Sequence, residues 1–451
     1  MVKSTMTNVR ELKKKLKRLE EENSELHRKF EEARQEIKEL KSQLSQYKNS
    51  NTPSSANKHI KPNTQGLKAS GKRKQGAPKG HPGINHGWKV GAVPREIHAD
   101  KCPFCNSKDI EKVGERHQQL DEMPPDIKPV TIDVDRDICR CNNCNHKFIA
   151  TDGRTPLQGR FGLNLIILVI FLKFIVRGVL RKTAMFLTTG FGASLAPATV
   201  QAIIARVARA GEVEYEMLKK KIRAAKLLYI DETSFSVLGK NWWVWVFRSD
   251  TDLLLVIRNS RGNNVLEEIL GRLYSGIVIC DCWRAYDFLS FARIQRCWSH
   301  LLRKSKELCS TVAGRHFHEK LSELFDEIKR FNSTVRSDKQ RARKYAFMTA
   351  KLQRLIAYYS QYDECKEVIK YIEFHIESWF TCIRYNGVEP TNNFAEQAIR
   401  ETVMVRKIIG AFRSIKGTRA YETLASLIAT WQMQKKDLRV ELYRMLSLYM
   451  C

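Results

Sequence analysis

The chain has 451 residues, of which 43% are hydrophobic, and it carries 78 Lys and Arg against 49 Asp and Glu, a net charge of +29. This length allows two to four domains with a core in each, and the hydrophobic content excludes a wholly disordered chain. So large a positive surplus indicates a polyanionic partner, either nucleic acid or an anionic membrane surface.

The apolar segments favour nucleic acid over a membrane. The longest uninterrupted apolar run, 165–172, has eight residues, well short of the roughly 18 that span a bilayer. Residues 1–7 are followed by charged rather than apolar residues, so we expect no secretory signal. Twelve Cys without such a signal are typical of a reducing cytosol, where clustered thiols bind metals. The sequence therefore predicts a soluble, cytoplasmic protein that does not associate with membranes.

The first segment, residues 1–48, has a heptad pattern that predicts a coiled coil. One seam position holds Val9, Leu16, Asn23, Phe30, Ile37 and Leu44, and the other holds Leu12, Leu19, Leu26, Ala33, Leu40 and Tyr47. Unbroken spacing of this kind predicts a left-handed coiled coil and self-association through it. With the Leu-rich set at position d, Asn23 lies at an a position, where Asn favours a parallel, in-register dimer. The alternative is an amphipathic helix that packs on its own domain.

Residues 49–95 differ sharply in composition and predict a basic, flexible linker. They are rich in Pro, Gly, Ser, Asn and Lys, and positions 51–94 contain no acidic residue. The basic run Lys72, Arg73 and Lys74 is suited to contact with DNA phosphates without fixed structure. The alternative is a plain linker whose charge is incidental.

Residues 96–150 contain two Cys-x-x-Cys pairs that predict a zinc-binding module. The pairs are Cys102 with Cys105 and Cys141 with Cys144, and Cys139 is a spare thiol that could replace Cys141. Tetrahedral zinc is satisfied by four thiolates, two from each tight turn, which leaves no open position for chemistry. We therefore expect a structural Zn²⁺, with reduced structural thiols as the alternative.

Residues 151–225 have a helical pattern. Apolar residues dominate positions 161–180, Gly190-Phe191-Gly192 follows, and Pro197-Ala198-Thr199 resembles a helix start. Helix, glycine turn and helix with basic flanks are compatible with a helix-turn-helix that reads DNA, and equally with a simple helical subdomain.

From residue 226 the sequence predicts a ribonuclease-H-like core. The predicted elements are strands 227–230, 242–247 and 253–257, a turn at 249–252, a helix at 263–273, and strands 276–280 and 294–298. In this order the first strand and the strand after the helix lie side by side, so Asp231 and Asp281, which follow them, would meet at one edge of the sheet. Two carboxylates so close favour a cation between them, and their hard oxygens suit magnesium or manganese. The alternative is that each Asp caps the next helix.

A third carboxylate comes from the segment around Glu396. Thr391 or Asn392 could cap a helix, which places Glu396 in its first turns and leaves Glu401 on another face. The alternative is an ion pair between Glu396 and Arg400. A basic row beside the predicted metal site is suited to a phosphate backbone; it comprises Arg400, Arg406, Lys407, Arg413, Lys416 and Arg419.

Four motifs follow one another along this part of the chain. They are Tyr229-Ile230-Asp231-Glu232-Thr233, Asp281-x-x-Arg284-Ala285-Tyr286, Cys297-x-x-His300-Leu301-x-Arg303-Lys304, and Asn392-Asn393-x-Ala395-Glu396-x-Ala398-Ile399-Arg400 with Arg406-Lys407. Together they resemble the transposases of the insertion sequence 66 family. The resemblance extends upstream to Pro53-Ser54-Ser55, to Gly76-Ala77-Pro78-Lys79-Gly80-His81-Pro82-Gly83 and to the cysteine pairs. Cys280 and Cys282 around Asp281 depart from the pattern but leave the acid itself intact.

The resemblance implies a DDE-type DNA transposase of a bacterial insertion sequence, which cleaves 3′ ends of the element and joins them to target DNA. Asp231, Asp281 and Glu396 would be the catalytic triad and would bind Mg²⁺ or Mn²⁺. Cys297, His300 and Asn393 would support the active site. We expect Cys297 and His300 not to form a metal site, because a Cys/His pair without further ligands rarely binds metal alone. Element ends and target DNA would be the partners, with accessory proteins of the same element as further candidates, and the protein would associate with the nucleoid.

The expected fold class is thus multidomain α+β, with a coiled coil, a zinc-ribbon-like module, a helical region and a ribonuclease-H-like core with a helical insertion. The core would comprise residues 226–300 and 384–430, the insertion 301–383, and a C-terminal helix 431–451. Two alternatives remain: a non-catalytic, zinc-containing DNA-binding regulator, which has no need of the three acids, and a hydrolytic nuclease of the same fold, which would not perform strand transfer.

Overall fold

The computed structural model describes residues 2–47, 104–109, 111 and 127–450. The predicted linker with Lys72, Arg73 and Lys74, and the predicted zinc ligand Cys102, lie outside these residues. Within the described ranges, no helix combines the length and the apolar character that crossing a bilayer requires.

The first segment forms one continuous helix, α1 (Val2–Tyr47). Its seam side chains, where they are described, are each more than half exposed: Leu16, Leu19, Leu26, Phe30, Ile37 and Leu40. The helix predicted for this segment is therefore present, and the described chain does not cover its apolar seam. Pairing of the seam with a second copy stays a prediction.

A small hairpin precedes the main domain. Strands β1 (Ile138–Arg140) and β2 (Lys147–Ile149) pair antiparallel. The Arg136 guanidinium donates to the carbonyls of Ala150 and Thr155 at 2.9 Å each, which holds the base of the hairpin to the segment that follows.

Four helices follow the hairpin, as the apolar pattern predicts for residues 151–225. They are α2 (Leu163–Phe174), α3 (Leu180–Phe191), α4 (Pro197–Ala210) and α5 (Glu212–Ala224). The turn between α3 and α4 begins at Gly192, whose φ of 67° lies in the left-handed region that glycine adopts without strain. One face of α4, with Val200, Ile203 and Val207, is buried in the main hydrophobic core. These helices are therefore packed onto the domain that follows.

A mixed sheet forms the centre of that domain. Its strands are β3 (Leu227–Val237), β4 (Lys240–Arg248), β5 (Leu253–Arg258), β6 (Ile277–Cys280), β7 (Arg293–Arg296) and β8 (Ala411–Phe412). The order is β5-β4-β3-β6-β7, with β8 beside β3. β3, β4 and β5 form an antiparallel meander, whereas β3, β6 and β7 are parallel, with helix α6 (Asn263–Leu270) between β5 and β6. The predicted side-by-side placement of the first strand and the strand after the helix is confirmed.

The extent of two strands differs from the prediction. β3 does not end before Asp231 but continues to Val237, because β4 pairs with it as far as Val237 opposite Lys240. Parallel pairing with β6, in contrast, stops at Tyr229 opposite Ile279. Asp231 therefore lies just beyond the point where β6 ends, within a strand rather than after it. β7 is shorter than predicted, since Trp298 already begins a helix.

The segment predicted as a helical insertion is indeed mostly helical. It contains α7 (Trp298–Lys306), α8 (Val312–Asn332), α9 (Asp338–Tyr359), α10 (Lys366–Glu373) and α11 (Thr381–Arg384), with 3-10 turns at Glu307–Ser310, Asp363–Cys365 and Ile376–Trp379. Its apolar side chains form one cluster with Tyr229 and Ile279, so the insertion covers one face of the β3–β6 pair.

Three helices complete the chain: α12 (Asn393–Ile409), α13 (Ile415–Met433) and α14 (Leu438–Met450). α12 packs on β3 and β4, and α13 packs between β5 and α4. The sheet thus has helices on both faces, and α12 lies over the edge where Asp231 and β6 meet.

Candidate active site at the end of β6

Asp231 and Asp281 lie at the same end of the β3–β6 pair. Asp281 follows Cys280, the last residue of β6, and its Oδ1 accepts a hydrogen bond of 2.8 Å from the backbone N–H of Trp283. Because side chains alternate along a strand, Asp231 shares the face of Tyr229, which the insertion covers. Asp281 lies in the loop directly after β6, close enough for its charge to act on Asp231.

The surroundings strongly disfavour charge on Asp231. Burial, followed by the nearby negative charges of Glu232, Asp281 and Glu396, raises the pKa of Asp231 to about 8. Burial and like charges both favour the protonated acid. A cation at this position would remove that cost.

Glu396 lies in the first turn of α12, as predicted, with Ala395 and Ile399 buried beneath the helix. The start of the helix differs from the prediction, because the Asn392 side chain forms no cap hydrogen bond. Its Nδ2 instead donates to the carbonyl oxygen of Ile230 at 2.7 Å. Asn392 thus ties the beginning of α12 to the residue before Asp231, which is a role that the sequence did not reveal.

The predicted supporting residue Asn393 is exposed at the first position of α12. Its neighbour Asn392 is completely buried and makes the contact with β3. The sequence does not tell which of two adjacent asparagines is buried. The path of the chain into α12 decides this, and it buries Asn392 and exposes Asn393.

The loop that carries Asp281 is held by Arg296, which is completely buried at the end of β7. Its guanidinium donates to the carbonyl oxygen of Asp281 at 2.6 Å and to Asp287 Oδ1 at 2.8 Å. A buried Arg with a fixed fork of donors can hold a loop rigidly. Nothing in the sequence distinguishes Arg296 from the other basic residues of the chain.

Glu232 is a further acid of the site that the sequence did not single out. It is buried on the opposite face of β3, where its carboxylate accepts a hydrogen bond of 2.7 Å from the Tyr286 hydroxyl and forms an ion pair of 2.8 Å with Arg261. Burial raises the pKa of Glu232, while Arg261 and Tyr286 oppose that rise. Arg261 also lies 4.0 Å from Asp281 Oδ2, so its positive charge lies near both Glu232 and Asp281.

Cys297 and His300 lie beside Glu396. Among the described residues, the Cys297 sulfur, a His300 ring nitrogen and a Glu396 carboxylate oxygen all lie within 4.8 Å of one another. Asp231 and Asp281 are not part of this group. His300 Nδ1 is 3.8 Å from Glu396 Oε1. The sequence predicted support of the active site by Cys297 and His300, and the structure brings both to the proposed catalytic Glu396.

The predicted basic row is only partly exposed. Arg400, Lys407 and Arg413 are exposed, as are Lys416 and Arg419. Arg406 is instead buried and donates to the Ser234 carbonyl and, at 3.2 Å, to the Thr233 hydroxyl. Its place on the inner face of α12 thus excludes the free phosphate contact predicted for it. Glu401 pairs with Arg177 at 2.7 Å, away from the acids.

The described part of the predicted zinc module contains one intact Cys-x-x-Cys turn. Hydrogen bonds from the backbone N–H groups of Cys144 and Asn143, followed by one from the Cys144 thiol, lower the pKa of Cys141. In the described residues neither Cys105 nor Cys139 completes a three-ligand group with them. The turn fits half of a zinc site, and the other half includes Cys102, outside the described residues.

Comparison with known proteins assigns the family. The family described as "Transposase IS66 family" matches residues 158–420, more than half of the chain. The chain belongs to the IS66 transposase family. The matched range contains Asp231, Asp281 and Glu396, and it leaves α1 and the cysteine pairs outside.

A curated relative of this IS66 family member is "Uncharacterized protein y4qI" of Sinorhizobium fredii (strain NBRC 101917 / NGR234). The two are 23% identical over 256 residues, which cover 49% of this chain and 47% of the relative. The chain therefore spans about half the length of the curated relative that it matches.

Proposed function

We propose that this IS66 family member is a DDE-type DNA transposase that cleaves the ends of its insertion sequence and joins the 3′ ends to target DNA. The observation that carries the proposal is the convergence of acids from β3, the end of β6 and the first turn of α12, inside the range matched by the family. The raised pKa of Asp231 supports the proposal, because clustered, buried carboxylates are costly to ionise unless they bind a cation.

The topology supports a ribonuclease-H-like core. An antiparallel meander followed by a helix and two parallel strands, in the order β5-β4-β3-β6-β7, is the arrangement that such a core requires. The insertion between β7 and α12 then separates the second acid from the third in the sequence but not in space.

Asp231, Asp281 and Glu396 would hold Mg²⁺ or Mn²⁺, whose preference for carboxylate oxygens they fit. Bound there, the metal would activate the attacking oxygen and stabilise the leaving one. The protein positions these ligands through Asn392, which ties α12 to β3, and through Arg296, which holds the Asp281 backbone.

The reaction consists of two in-line displacements at phosphorus. In the first, a water oxygen bonds to the phosphorus at the element end, the bond to the 3′ oxygen breaks, and that oxygen leaves as a 3′-hydroxyl. In the second, the 3′-hydroxyl oxygen bonds to a target phosphorus, displaces the 3′ oxygen there and gives up its proton. The carboxylates serve as ligands throughout, so no covalent protein–DNA intermediate is needed.

DNA would reach the site along the exposed basic side chains of α12 and of the turn after β8. Arg400, Lys407 and Arg413 are suited to phosphate contacts. Lys72, Arg73 and Lys74 would add contacts without sequence preference. The Cys102, Cys105, Cys141 and Cys144 module would bind structural zinc, and α1 would pair two copies so that both element ends are held together.

The test is a magnesium-dependent strand-transfer assay with DNA that carries the element's own ends. Asp231→Asn, Asp281→Asn and Glu396→Gln should each abolish joining while DNA binding persists. Glu401→Gln, on the same helix but paired with exposed Arg177, is the matched control and should join normally. Joining at the wild-type rate by the three variants would refute the assignment.

A further inference from the structure

Two helix starts converge beside Glu396. α7 begins directly after Cys297, and α12 begins directly after Asn392. The Trp298 N–H donates to the Pro390 carbonyl at 3.0 Å, and the Asn392 N–H donates to the Cys297 sulfur at 3.2 Å. Cys297 and His300 are three residues apart, so they face the same side of the first turn of α7. That side faces Glu396.

Polar atoms at this junction lack the partners that burial demands. His300 Nδ1, Glu396 Oε1 and Asn392 Oδ1 are each buried and have no hydrogen-bond partner among the described residues. Asn392 is completely buried. A buried polar atom without a partner costs about 1–3 kcal/mol, and native proteins rarely leave several together. The three atoms therefore point to a missing ligand.

We propose that Cys297 Sγ, His300 Nδ1 and Glu396 Oε1 bind a transition-metal ion, with Zn²⁺ as the best fit, next to the proposed magnesium site. A thiolate, an imidazole and a carboxylate together suit zinc, whereas magnesium prefers oxygen ligands alone. Zinc–nitrogen and zinc–oxygen bonds of about 2.0–2.2 Å in a tetrahedron place the two ligand atoms about 3.3–3.5 Å apart. His300 Nδ1 and Glu396 Oε1 are 3.8 Å apart, so a small side-chain movement brings them to this spacing.

Three protein ligands leave the fourth zinc position for water or for the Asn392 amide oxygen. A carboxylate has two oxygens, so Glu396 can bind zinc through Oε1 and offer its other oxygen elsewhere. The ion would thereby fix the orientation of Glu396. This last consequence rests on the proposed function, whereas the binding of the ion does not.

The experiment measures metal binding directly, without DNA. The full chain is stripped with a chelator and titrated with Co²⁺, which reports a thiolate ligand through a charge-transfer absorption band, and Zn²⁺ content is measured by elemental analysis. A background with Cys102→Ser, Cys105→Ser, Cys141→Ser and Cys144→Ser removes all four thiols predicted to bind zinc elsewhere and leaves Cys139 without a second thiol of that module. In this background, Cys297→Ser should abolish the band, and His300→Gln or Glu396→Gln should weaken Co²⁺ affinity by more than tenfold.

Matched controls remove the same groups elsewhere. Cys309→Ser deletes a half-exposed thiol and His316→Gln an exposed imidazole, and both should keep the band and the affinity. If Cys297→Ser and Glu396→Gln bind as much metal as the controls, the proposal is wrong. Glu396→Gln keeps this test valid if the buried Cys297 variant fails to fold.

The result is separable from the transposase assignment. Asp231→Asn should lose strand transfer but keep the cobalt band. A band that depends on Cys297 in a protein that never joins DNA would uphold the metal site and refute the proposed function, whereas joining without the band would do the reverse.

Discussion

The side-chain amide of Asn392 donates to the carbonyl oxygen of Ile230 at 2.7 Å, directly before Asp231. This bond joins the start of α12, which carries Glu396, to the strand that carries the first acid. The distance between the proposed catalytic acids therefore depends on a residue that is not itself acidic.

Replacing Asn392 should separate the two elements. Asn392→Ala leaves the buried Ile230 carbonyl without a partner, so we expect the free energy of unfolding to fall by about 1–3 kcal/mol. Asn393→Ala, at the exposed neighbouring position, should change it by less than about 0.5 kcal/mol. Urea unfolding of the two variants measures both values. Equal stability of the two variants would contradict the tie between α12 and β3.

The pKa of Asp231 predicts an unusual pH dependence of stability. The pKa is raised from 3.8 to about 8 in the folded protein, so between these values the folded state holds a proton that the unfolded state has lost. Stability from this group is therefore present at low pH and is lost as the pH rises from about 4 to about 8.

The comparison is between wild type and Asp231→Asn, both free of divalent metal. Between pH 5 and pH 8 the free energy of unfolding of the wild type should fall by on the order of a few kcal/mol relative to that of the variant. Magnesium should raise the stability of the wild type more at pH 8 than at pH 6, because the cation favours the charged carboxylate. Thermal unfolding curves that shift in parallel for both proteins would show that Asp231 is not the cause.

The sequence predicted that the three acids lie near one another, but it did not predict the residues that hold them in place. The order of the elements places Asp231 beside Asp281, because the strand after the meander and the helix lies parallel to the first strand, so the carboxyl ends of the two strands meet. Glu396 was placed in a first turn by the capping residues and the apolar spacing around it. Both predictions depend on local patterns, which a single sequence displays.

Arg261, Arg296 and the buried Arg406 depend on tertiary contacts and were missed or misplaced. The basic pattern around Arg406 suggested a surface row, yet α12 turns this side chain towards β3. The end of β3 was also misjudged, because polar Asp231, Glu232 and Thr233 resemble a turn. Pairing with β4 extends β3 through these three residues. The strand propensity of the residues themselves does not predict this pairing.

Arg261 should stabilise the fold through Glu232. Arg261→Met leaves the buried Glu232 carboxylate with only the Tyr286 hydroxyl as a partner. Because Arg261 is itself partly exposed, we expect the free energy of unfolding to fall by about 1–3 kcal/mol. The loss should be greater at pH 8 than at pH 5, because protonation of Glu232 removes the unpaired charge. Denaturant unfolding at the two pH values measures it.

The matched control for this pair is Arg272→Met. Arg272 forms an ion pair of 2.6 Å with Glu267, but both side chains are exposed. Exposed pairs contribute little to stability, so this variant should stay within about 0.5 kcal/mol of wild type at both pH values. A loss as large as that of Arg261→Met would mean that burial of Glu232 is not what matters.

The exposed seam of α1 predicts self-association that a single charge should break. Leu26 lies at a d position and is more than half exposed in the single chain. Leu26→Lys would bury a charge in each helix of a dimer, and we expect the dissociation constant to rise about a hundredfold or more. Sedimentation velocity measures the change.

Two further substitutions separate seam packing from charge. Ser24→Lys adds the same charge two residues away, at an exposed position outside the seam, and should leave the dimer intact. Asn23→Val should strengthen association but admit other registers or assemblies, because a buried Asn favours the parallel dimer at a cost in stability. A monomeric wild type, or equal effects of Leu26→Lys and Ser24→Lys, would instead show that the seam does not pair, and the two element ends would have to be held together by other surfaces.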